Sequence, residues 1–502
     1  MPRTLSLWST GSLVPARARF TTCDSNPEPH IESLGQRIDW PKHFFYPLFQ
    51  PFFQRIHPTR TMNPSPTQAI VPQALITEES RLPGAPELHY ANGQLHLEGV
   101  RLLDLAQALG TPLFAYSKHS MLEALKRYQL GFEGRRARVH YAMKANSNLA
   151  LLQLFARAGC GFDVVSQGEL ERVLAAGGLA KDVIFSGVGK TRGEIARALK
   201  EGILCFNVES TPELEVINEV ALALGLVAPI SIRVNPNVDP KTHPYISTGL
   251  KDNKFGVAHE ETLALYLHAK MLKGLRIEGI DCHIGSQITT TEPYVDALNR
   301  VLDLVEQIES HGMPIHHLDF GGGLGIQYKD ETAPDANVLW KTLWRVLDAR
   351  GFGDRHVMVE PGRSLVGNAG VCLSTVQYVK PGEQKNFCIV DAAMNDLPRP
   401  AMYEAFHAIV PLSLHTPAEP EVFDVVGPVC ESGDWLGRER TLSVAAGDVL
   451  AVLSAGAYCT SMSSNYNTRG RAAEVLIDEQ QWHLIRDRET TADQLRLEKL
   501  LD

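Results

Sequence analysis

The sequence predicts an α/β chain in which a (β/α)₈ barrel of the TIM type is joined to a second, mainly antiparallel β domain. Length is the first reason: 502 residues exceed what one hydrophobic core usually organises. The second is a count of eight strand-like runs separated by helical patterns over roughly 240 residues, the number that closes a barrel. The third is a change of texture after Gly370, where valine-rich runs with turn signals replace helical periodicity.

In chain order, residues 1–61 read as an extension with seven basic and four acidic residues, and its first 23 positions carry Arg3, Arg17 and Arg19 with no acid. A transit peptide has that composition, and so does an over-extended start upstream of Met62, which opens an ordinary polar leader. The extension is broken by prolines, and its cluster Phe44, Phe45, Tyr46, Phe49, Phe52 and Phe53 has no clean period. A cytoplasmic protein is the expectation, with organelle targeting as the alternative. Residues 62–112 are expected to form a leader and strands joining the β domain, including a hairpin-like stretch at 88–100 that turns at Asn92-Gly93. The barrel is expected at 113–370. Its strand-like runs are 138–143, 161–165, 183–186, 203–208, 229–235, 275–284, 317–320 and 357–360. Helical patterns between them include 149–158, 193–201, 212–224, 295–310 and 338–350. An open doubly wound sheet competes, but the count of eight and the lack of a dinucleotide fingerprint favour the barrel. Residues 371–502 then supply the β domain, through runs at 371–379, 386–391, 422–426 and 448–455.

Composition excludes several classes. Forty-eight Lys plus Arg against 58 Asp plus Glu give a net charge of -10, whereas binders of nucleic-acid backbones carry a basic surplus. The longest apolar stretch, 221–232, is too short to span a bilayer and contains Pro229. Eight cysteines without a C-x-x-C pair fit a reducing compartment, so neither a disulfide scaffold nor a metal site is expected.

Reactive groups in such barrels lie where strands end in βα loops. The first run ends in Tyr141-Ala-Met-Lys144-Ala-Asn146. Desolvation at a barrel mouth lowers a lysine's pKa and suits a Schiff-base nucleophile, although a lone lysine closing a strand is more often a surface residue. The sixth run ends in His283-Ile-Gly-Ser286-Gln. Its imidazole could stack on a planar ligand and Ser286 could donate to phosphate, against the bland alternative of a satisfied loop histidine. The seventh leads into Gly321-Gly322-Gly323, whose N–H groups could meet an anion. The eighth ends in Glu360-Pro-Gly362-Arg363: either a local ion pair, or a carboxylate for a protonated ring nitrogen beside an anion-holding arginine. Ser186-Gly-Val-Gly189-Lys190-Thr191 imitates the end of a P-loop, but the glycine required five positions before Gly189 is Ile184. Lys190 and Thr191 therefore read as a helix start. Together the lysine, histidine, glycines and carboxylate describe a pyridoxal phosphate site.

With these motifs the chain resembles the alanine-racemase-like, barrel-type pyridoxal phosphate decarboxylases, over about residues 88–485. Further matching stretches are Gly161-Phe-Asp163-Val-Val-Ser-Gln-Gly-Glu169, Met394-Asn-Asp-Leu-Pro-Arg399-Pro-Ala-Met-Tyr403, Gly427-Pro-Val-Cys430-Glu431-Ser-Gly-Asp434 and Gly456-Ala-Tyr458. The resemblance is greatest to the members acting on meso-2,6-diaminopimelate, and implies its decarboxylation to L-lysine and CO₂, the last step of lysine biosynthesis. It implies that Lys144 carries pyridoxal 5'-phosphate, with Asp163 and Tyr458 in the cofactor site. His283 would stack on the ring, Glu360 would keep the ring nitrogen protonated, and Ser286, Gly321, Gly322, Gly323, Gly362 and Arg363 would bind phosphate. Arg363, Arg399 and Tyr403 would clamp a substrate carboxylate, with Tyr458 also touching substrate. Cys430 would donate a proton and Glu431 would meet the distal amino group. A homodimer is implied, with Cys430, Glu431 and Tyr458 entering from the partner subunit. Residues 1–61 have no counterpart in the pattern. A related decarboxylase of ornithine, arginine or carboxynorspermidine is the alternative; a non-catalytic relative would lack Lys144, Cys430 or the β domain.

Overall fold

The computed structural model describes residues 76–502 apart from 78, 81, 85, 86 and 240–253. The expectations for residues 1–61 and for Met62 lie outside the described residues. Eight parallel strands, β1 Ala137–Ala142, β2 Gly161–Val164, β3 Val183–Phe185, β4 Cys205–Val208, β5 Ala228–Asn235, β6 Leu275–Cys282, β7 His317–Asp319 and β8 His356–Val359, pair in sequence order. Pairing of β8 with β1 closes the ring and leaves no edge.

The helices between them are α1 Leu149–Arg157, α2 Gln167–Ala175, α3 Arg192–Glu201, α4 Thr211–Leu224, α5 His259–Met271, α6 Glu292–Ser310, α7 Ala336–Ala349 and the single turn α8 Arg363–Val366. Local chemistry sets their starts: side chains of Asn148, Ser166, Thr191, Ser210 and Asp335 each accept an N–H from the first turn. Thr191 and Glu194 form a full capping box, so the P-loop look-alike is a helix start, as its spacing predicts. Lys190 is buried there, bonded to Glu213 Oε1 at 2.6 Å and to the carbonyls of Gly187 and Asn207 at 2.8 Å. Strands are apolar on both faces because helices cover the outside while side chains fill the inside. Phe155, Phe162, Phe185 and Phe206 are wholly buried, each worth about 1.5–3 kcal/mol of transfer free energy.

Toward the carboxyl ends of the strands the barrel interior turns polar. Asp163, Asn207, Ser231, Arg233, Asp281, Asp319 and Glu360 are all buried. Asp281 stands in register with Arg233 on one side and Asp319 on the other. Buried polar groups are costly unless they are paired, so this layer marks where the fold gives up stability for chemistry.

The second sheet runs, edge to edge, through Trp435–Leu442, Glu421–Val426, Asn386–Val390, Gly370–Lys380, Leu113–Ser117, Ala473–Asp478 and Gln481–Arg486. Val449–Val452 pairs with Gly370–Lys380 and carries Ile409–Pro411 on its other side. Two expectations are corrected here. The hairpin turning at Asn92-Gly93 does not complete this sheet; Leu88–Ala91, Gln94–Leu97 and Val100–Arg101 form their own three-stranded sheet, touching the other through a bridge from Gln94 to Ser413. The strand that the N-terminal side does supply is Leu113–Ser117, a five-residue run buried throughout that the sequence reading had placed within the barrel.

Candidate active site

Lys144 sits in the turn Met143–Ala145 that follows β1. Three bonds fix this turn: the Tyr141 hydroxyl donates to the Asn146 carbonyl at 2.9 Å, and the Tyr458 N–H and Ser461 hydroxyl donate to the Ala145 carbonyl at 2.8 and 3.2 Å. The β domain thus braces the lysine. Its side chain is 41% exposed and its ammonium donates to the fully buried Asp163 carboxylate. Burial alone would lower its pKa, but Asp163, Glu360 and Tyr458 outweigh burial and hold it above the ordinary lysine value. The lowered pKa expected from desolvation is therefore reversed, because the barrel layer beneath the lysine is acidic.

Lys144 opens into a cavity of about 360 Å³, whose walls include His283, Ser286, Glu360, Arg363 and Tyr458, with Gly323 and Gly362. Tyr458 lines the cavity of its own chain, which corrects its expected entry from the partner subunit. Its backbone φ of 57° lies in the left-handed region, held by the bond to the lysine turn. A larger groove of about 550 Å³ elsewhere contains Ser364 but none of the expected site residues.

Glu360 directly follows β8, with Asn207 Nδ2 donating to its Oε1 at 3.4 Å. Carboxylate oxygens of Asp281, Asp319 and Glu360 lie within 4.8 Å of one another. Burial first, and then neighbouring carboxylates (Asp319 on Asp281, Asp163 ahead of Asp319 and Asp281 on Glu360), raises the pKa of Asp281 and Glu360 well above the carboxylate range; burial and Asp163 push Asp319 up to about 7. A hard cation could use such oxygens, but Arg233 already lies 3.8 Å from Asp281 and 3.3 Å from Glu209. A cationic ring group beside Glu360 would stabilise the ionised carboxylate that burial opposes.

The three glycines after β7 act differently from the sequence expectation. Two of their N–H groups are committed inward: Gly321 to Asp319 Oδ1 at 2.9 Å, and Gly322 to His283 Nδ1 at 3.2 Å. The second bond makes Nδ1 an acceptor, and burial together with Arg233 and Lys144 keeps the imidazole neutral. Close approach is what requires glycine. A Cβ on Gly322 would lie 2.3 Å from the Glu360 carbonyl oxygen, and one on Gly323, whose φ is +99°, would lie 2.5 Å from that of Gly285.

Arg363 donates from Nε and Nη2 to Ser286 Oγ at 3.3 and 2.9 Å, and from Nη1 to Tyr328 Oη at 2.6 Å. Arg399, also buried, begins the short helix Arg399–Tyr403, and its guanidinium lies 4.6 Å above the Tyr328 ring. Among the described residues, neither arginine has a carboxylate within ion-pairing distance. Buried cations are normally paired, whereas these two are bonded only to neutral groups: Ser286 and Tyr328 for Arg363, His407 for Arg399. Tyr403 is half-buried on the same helix, away from the cavity wall. Cys430 and Glu431 are exposed and also off this wall, the Cys430 N–H being bonded to Asn467 Oδ1 at 2.7 Å. Sequence reasoning missed Asn207, Arg233, Tyr328 and His407. The first two hide inside strand runs, and the others lie outside every recognised motif.

A closed barrel with a lysine after β1 and a buried carboxylate after β8, braced by a β sheet, defines a barrel-type pyridoxal phosphate-dependent decarboxylase. Residues 118–367 match the family described as pyridoxal-dependent decarboxylase, pyridoxal binding domain. The diaminopimelate decarboxylase of Pseudomonas aeruginosa is 52% identical over 412 residues, covering 82% of this chain and 98% of its own length. Solved structures of the diaminopimelate decarboxylases of Helicobacter pylori and M. jannaschii, each complexed with L-lysine, match with TM-scores of 0.75 and 0.80. Their identities are 41% and 39%, covering 79% and 84% of this chain and 99% of each relative. The chain belongs to the diaminopimelate decarboxylase family.

Proposed function

We propose that the cavity holds pyridoxal 5'-phosphate and that the protein decarboxylates meso-2,6-diaminopimelate to L-lysine and CO₂, the last step of lysine biosynthesis. The carrying observation is buried Arg363 in the wall of the cavity that also holds Lys144 and Glu360, with a second buried arginine, Arg399, joined to it through Tyr328, and neither with a carboxylate partner among the described residues. The residues fit the cofactor: Lys144, His283, Ser286, Glu360 and Arg363 line one cavity, and Asp281 Oδ1 and Asp319 Oδ2 are buried oxygens without hydrogen-bond partners. When bound, pyridoxal phosphate supplies a ring that accepts the electron pair left by departing CO₂.

The chain's own groups do the rest. Lys144 would hold the cofactor, its side chain kept in place by Asp163. Glu360, oriented by Asn207, would keep a proton on the ring nitrogen, and the neutral His283 would pack against the ring. Ser286, Arg363 and the backbone at Gly323 and Gly362, all in the cavity wall, would receive the phosphate. Arg399 and Tyr403, with Arg363 and Tyr458, receive the substrate carboxylate that is retained. Cys430 donates the proton that replaces CO₂, and Glu431 binds the distal amine. Exposure of these last two, away from their own chain's cavity, supports a homodimer in which each completes the partner's site. We assign the protein to the cytoplasm. Among the described residues no helix is long and apolar enough to cross a membrane. For domain organisation we propose a leader and N-terminal sheet followed by the barrel, with the C-terminal β domain taking Leu113–Ser117 into its sheet.

The test is CO₂ release from a panel of meso-diaminopimelate, lysine, ornithine, arginine and carboxynorspermidine. Turnover confined to diaminopimelate is expected. Faster turnover of ornithine or arginine would replace this substrate by the alternative.

A further inference from the structure

Arg399 is aimed by a residue that has no place in the reaction itself. His407 is fully buried, and its two ring nitrogens have separate fixed partners. Nδ1 lies 2.8 Å from the Leu453 carbonyl oxygen, and Nε2 lies 2.8 Å from Arg399 Nη1. A carbonyl can only accept, so Nδ1 carries the proton. A guanidinium can only donate, so Nε2 presents its lone pair. One neutral tautomer satisfies both bonds. Charging the ring would set two donors face to face beside Arg399, with Arg363 and Arg440 adding repulsion; burial and these three cations hold the imidazole well below its ordinary pKa. The histidine ring also meets Tyr328 edge-on, with centroids 5.2 Å apart at 76°. Tyr328 is the ring beneath Arg399 and the hydroxyl acceptor of Arg363.

We infer that His407 is a positioning residue for substrate recognition: its Nε2 lone pair, with Tyr328, aims the Arg399 guanidinium at the carboxylate retained in the product. The inference rests on the proposed clamp role of Arg399. Loss of CO₂ from one end of diaminopimelate leaves L-lysine with the carboxylate of the other end, so lysine reports on the clamp without chemistry. Cadaverine has the same amines and carbon chain but no carboxylate.

The experiment is calorimetric titration of the holoenzyme with L-lysine and with cadaverine, for the parent, His407→Leu, His407→Gln and Arg399→Ala. Leucine removes the acceptor and leaves a buried donor unpaired, which weakens lysine binding about tenfold or more. Cadaverine binding stays within about twofold, because its contacts never involve Arg399. Glutamine restores an acceptor oxygen and recovers most of the lysine affinity. If His407→Leu does not fold, His407→Asn, whose shorter amide reaches Leu453 but not Arg399, is read in its place. Equal weakening of both ligands, or no weakening of either, overturns the positioning role. If instead Arg399→Ala binds lysine like the parent, the clamp reading itself fails. If Arg399→Ala weakens lysine binding as the clamp requires, adding His407→Leu to it produces no further loss of lysine affinity; an additive loss overturns action through Arg399.

Discussion

Replacing Gly322 by alanine brings a methyl carbon to 2.3 Å from the Glu360 carbonyl oxygen and 3.0 Å from its carbonyl carbon. The atoms it meets are backbone, so no side chain can swing aside. The glycine's φ is not in the left-handed region, which makes the effect one of space alone. Reaching ordinary contact, which begins at 3.4 Å, requires the end of β8 to retreat by about 1 Å. Two bonds oppose that retreat: the Glu360 N–H to the Gly321 carbonyl at 2.6 Å, and Asn207 on the carboxylate. Overpacking of this kind costs about 1–3 kcal/mol of stability. Moving Glu360 and the following Gly362-Arg363 turn by about 1 Å costs on the order of 10²-fold in rate. The assay is titration of cofactor-free protein with pyridoxal phosphate by absorbance, followed by kcat/KM for diaminopimelate. Weaker cofactor binding, a lower Tm and kcat/KM down about 100-fold are expected. Gly189→Ala, where an added Cβ meets nothing within 4 Å, is the control and stays neutral. Parent-like cofactor affinity and kcat/KM in Gly322→Ala would refute the cradle.

Glu360→Gln keeps the shape but cannot hold the ring proton by charge; kcat falls about 10²-fold or more, and a variant with parental kcat removes Glu360 from that role. Because Asp163, Glu360 and Tyr458 raise the pKa of Lys144 and only its neutral amine reacts, loading of cofactor-free protein keeps accelerating with pH through about 10.4, where an ordinary lysine levels off, and a plateau at or below that pH contradicts the raised pKa. Lys144→Ala and Cys430→Ala are each inactive; unfolded and refolded together, they regain roughly a quarter of parental activity if sites are shared across a homodimer, and none if each chain is self-sufficient.

How far the sequence could be read depended on whether a residue's role was local. Lys144, His283, Gly321 and Glu360 all lie next to a strand end, where barrel topology alone assigns them to one rim. Asn207, Arg233, Asp281 and Asp319 were invisible as a group. They lie on four different strands far apart in the chain, and only the pairing of those strands in the ring sets Asp281 beside Arg233 and Asp319. The sign of the Lys144 pKa shift was lost with them, since desolvation is legible from a strand end but the charges beneath it are not. His259–Met271 gave no helical pattern because its apolar residues are not confined to one side; Leu265 is buried while Leu267 and Met271 are exposed. Trp435–Leu442 was missed because its charged Arg438, Glu439 and Arg440 mask the strand period. Tyr328 and His407 act through the two arginines, a relation that spacing along the chain cannot carry.

The position of Leu113–Ser117 sets a timetable for synthesis. This strand pairs with Gly370–Lys380 on one side and with Ala473–Asp478 on the other, and its Tyr116 hydroxyl reaches Glu474 Oε2 at 2.7 Å. It leaves the ribosome before any barrel strand, while the second flanking strand follows some 350 residues later. At roughly 5–20 residues per second that is an interval of about 20–70 s. Throughout it, a run of Leu-Phe-Ala-Tyr-Ser that ends fully buried has an unfilled edge. The nascent barrel is thus complete well before the sheet that braces its lysine, which closes only when Ala473–Asp478 has been made.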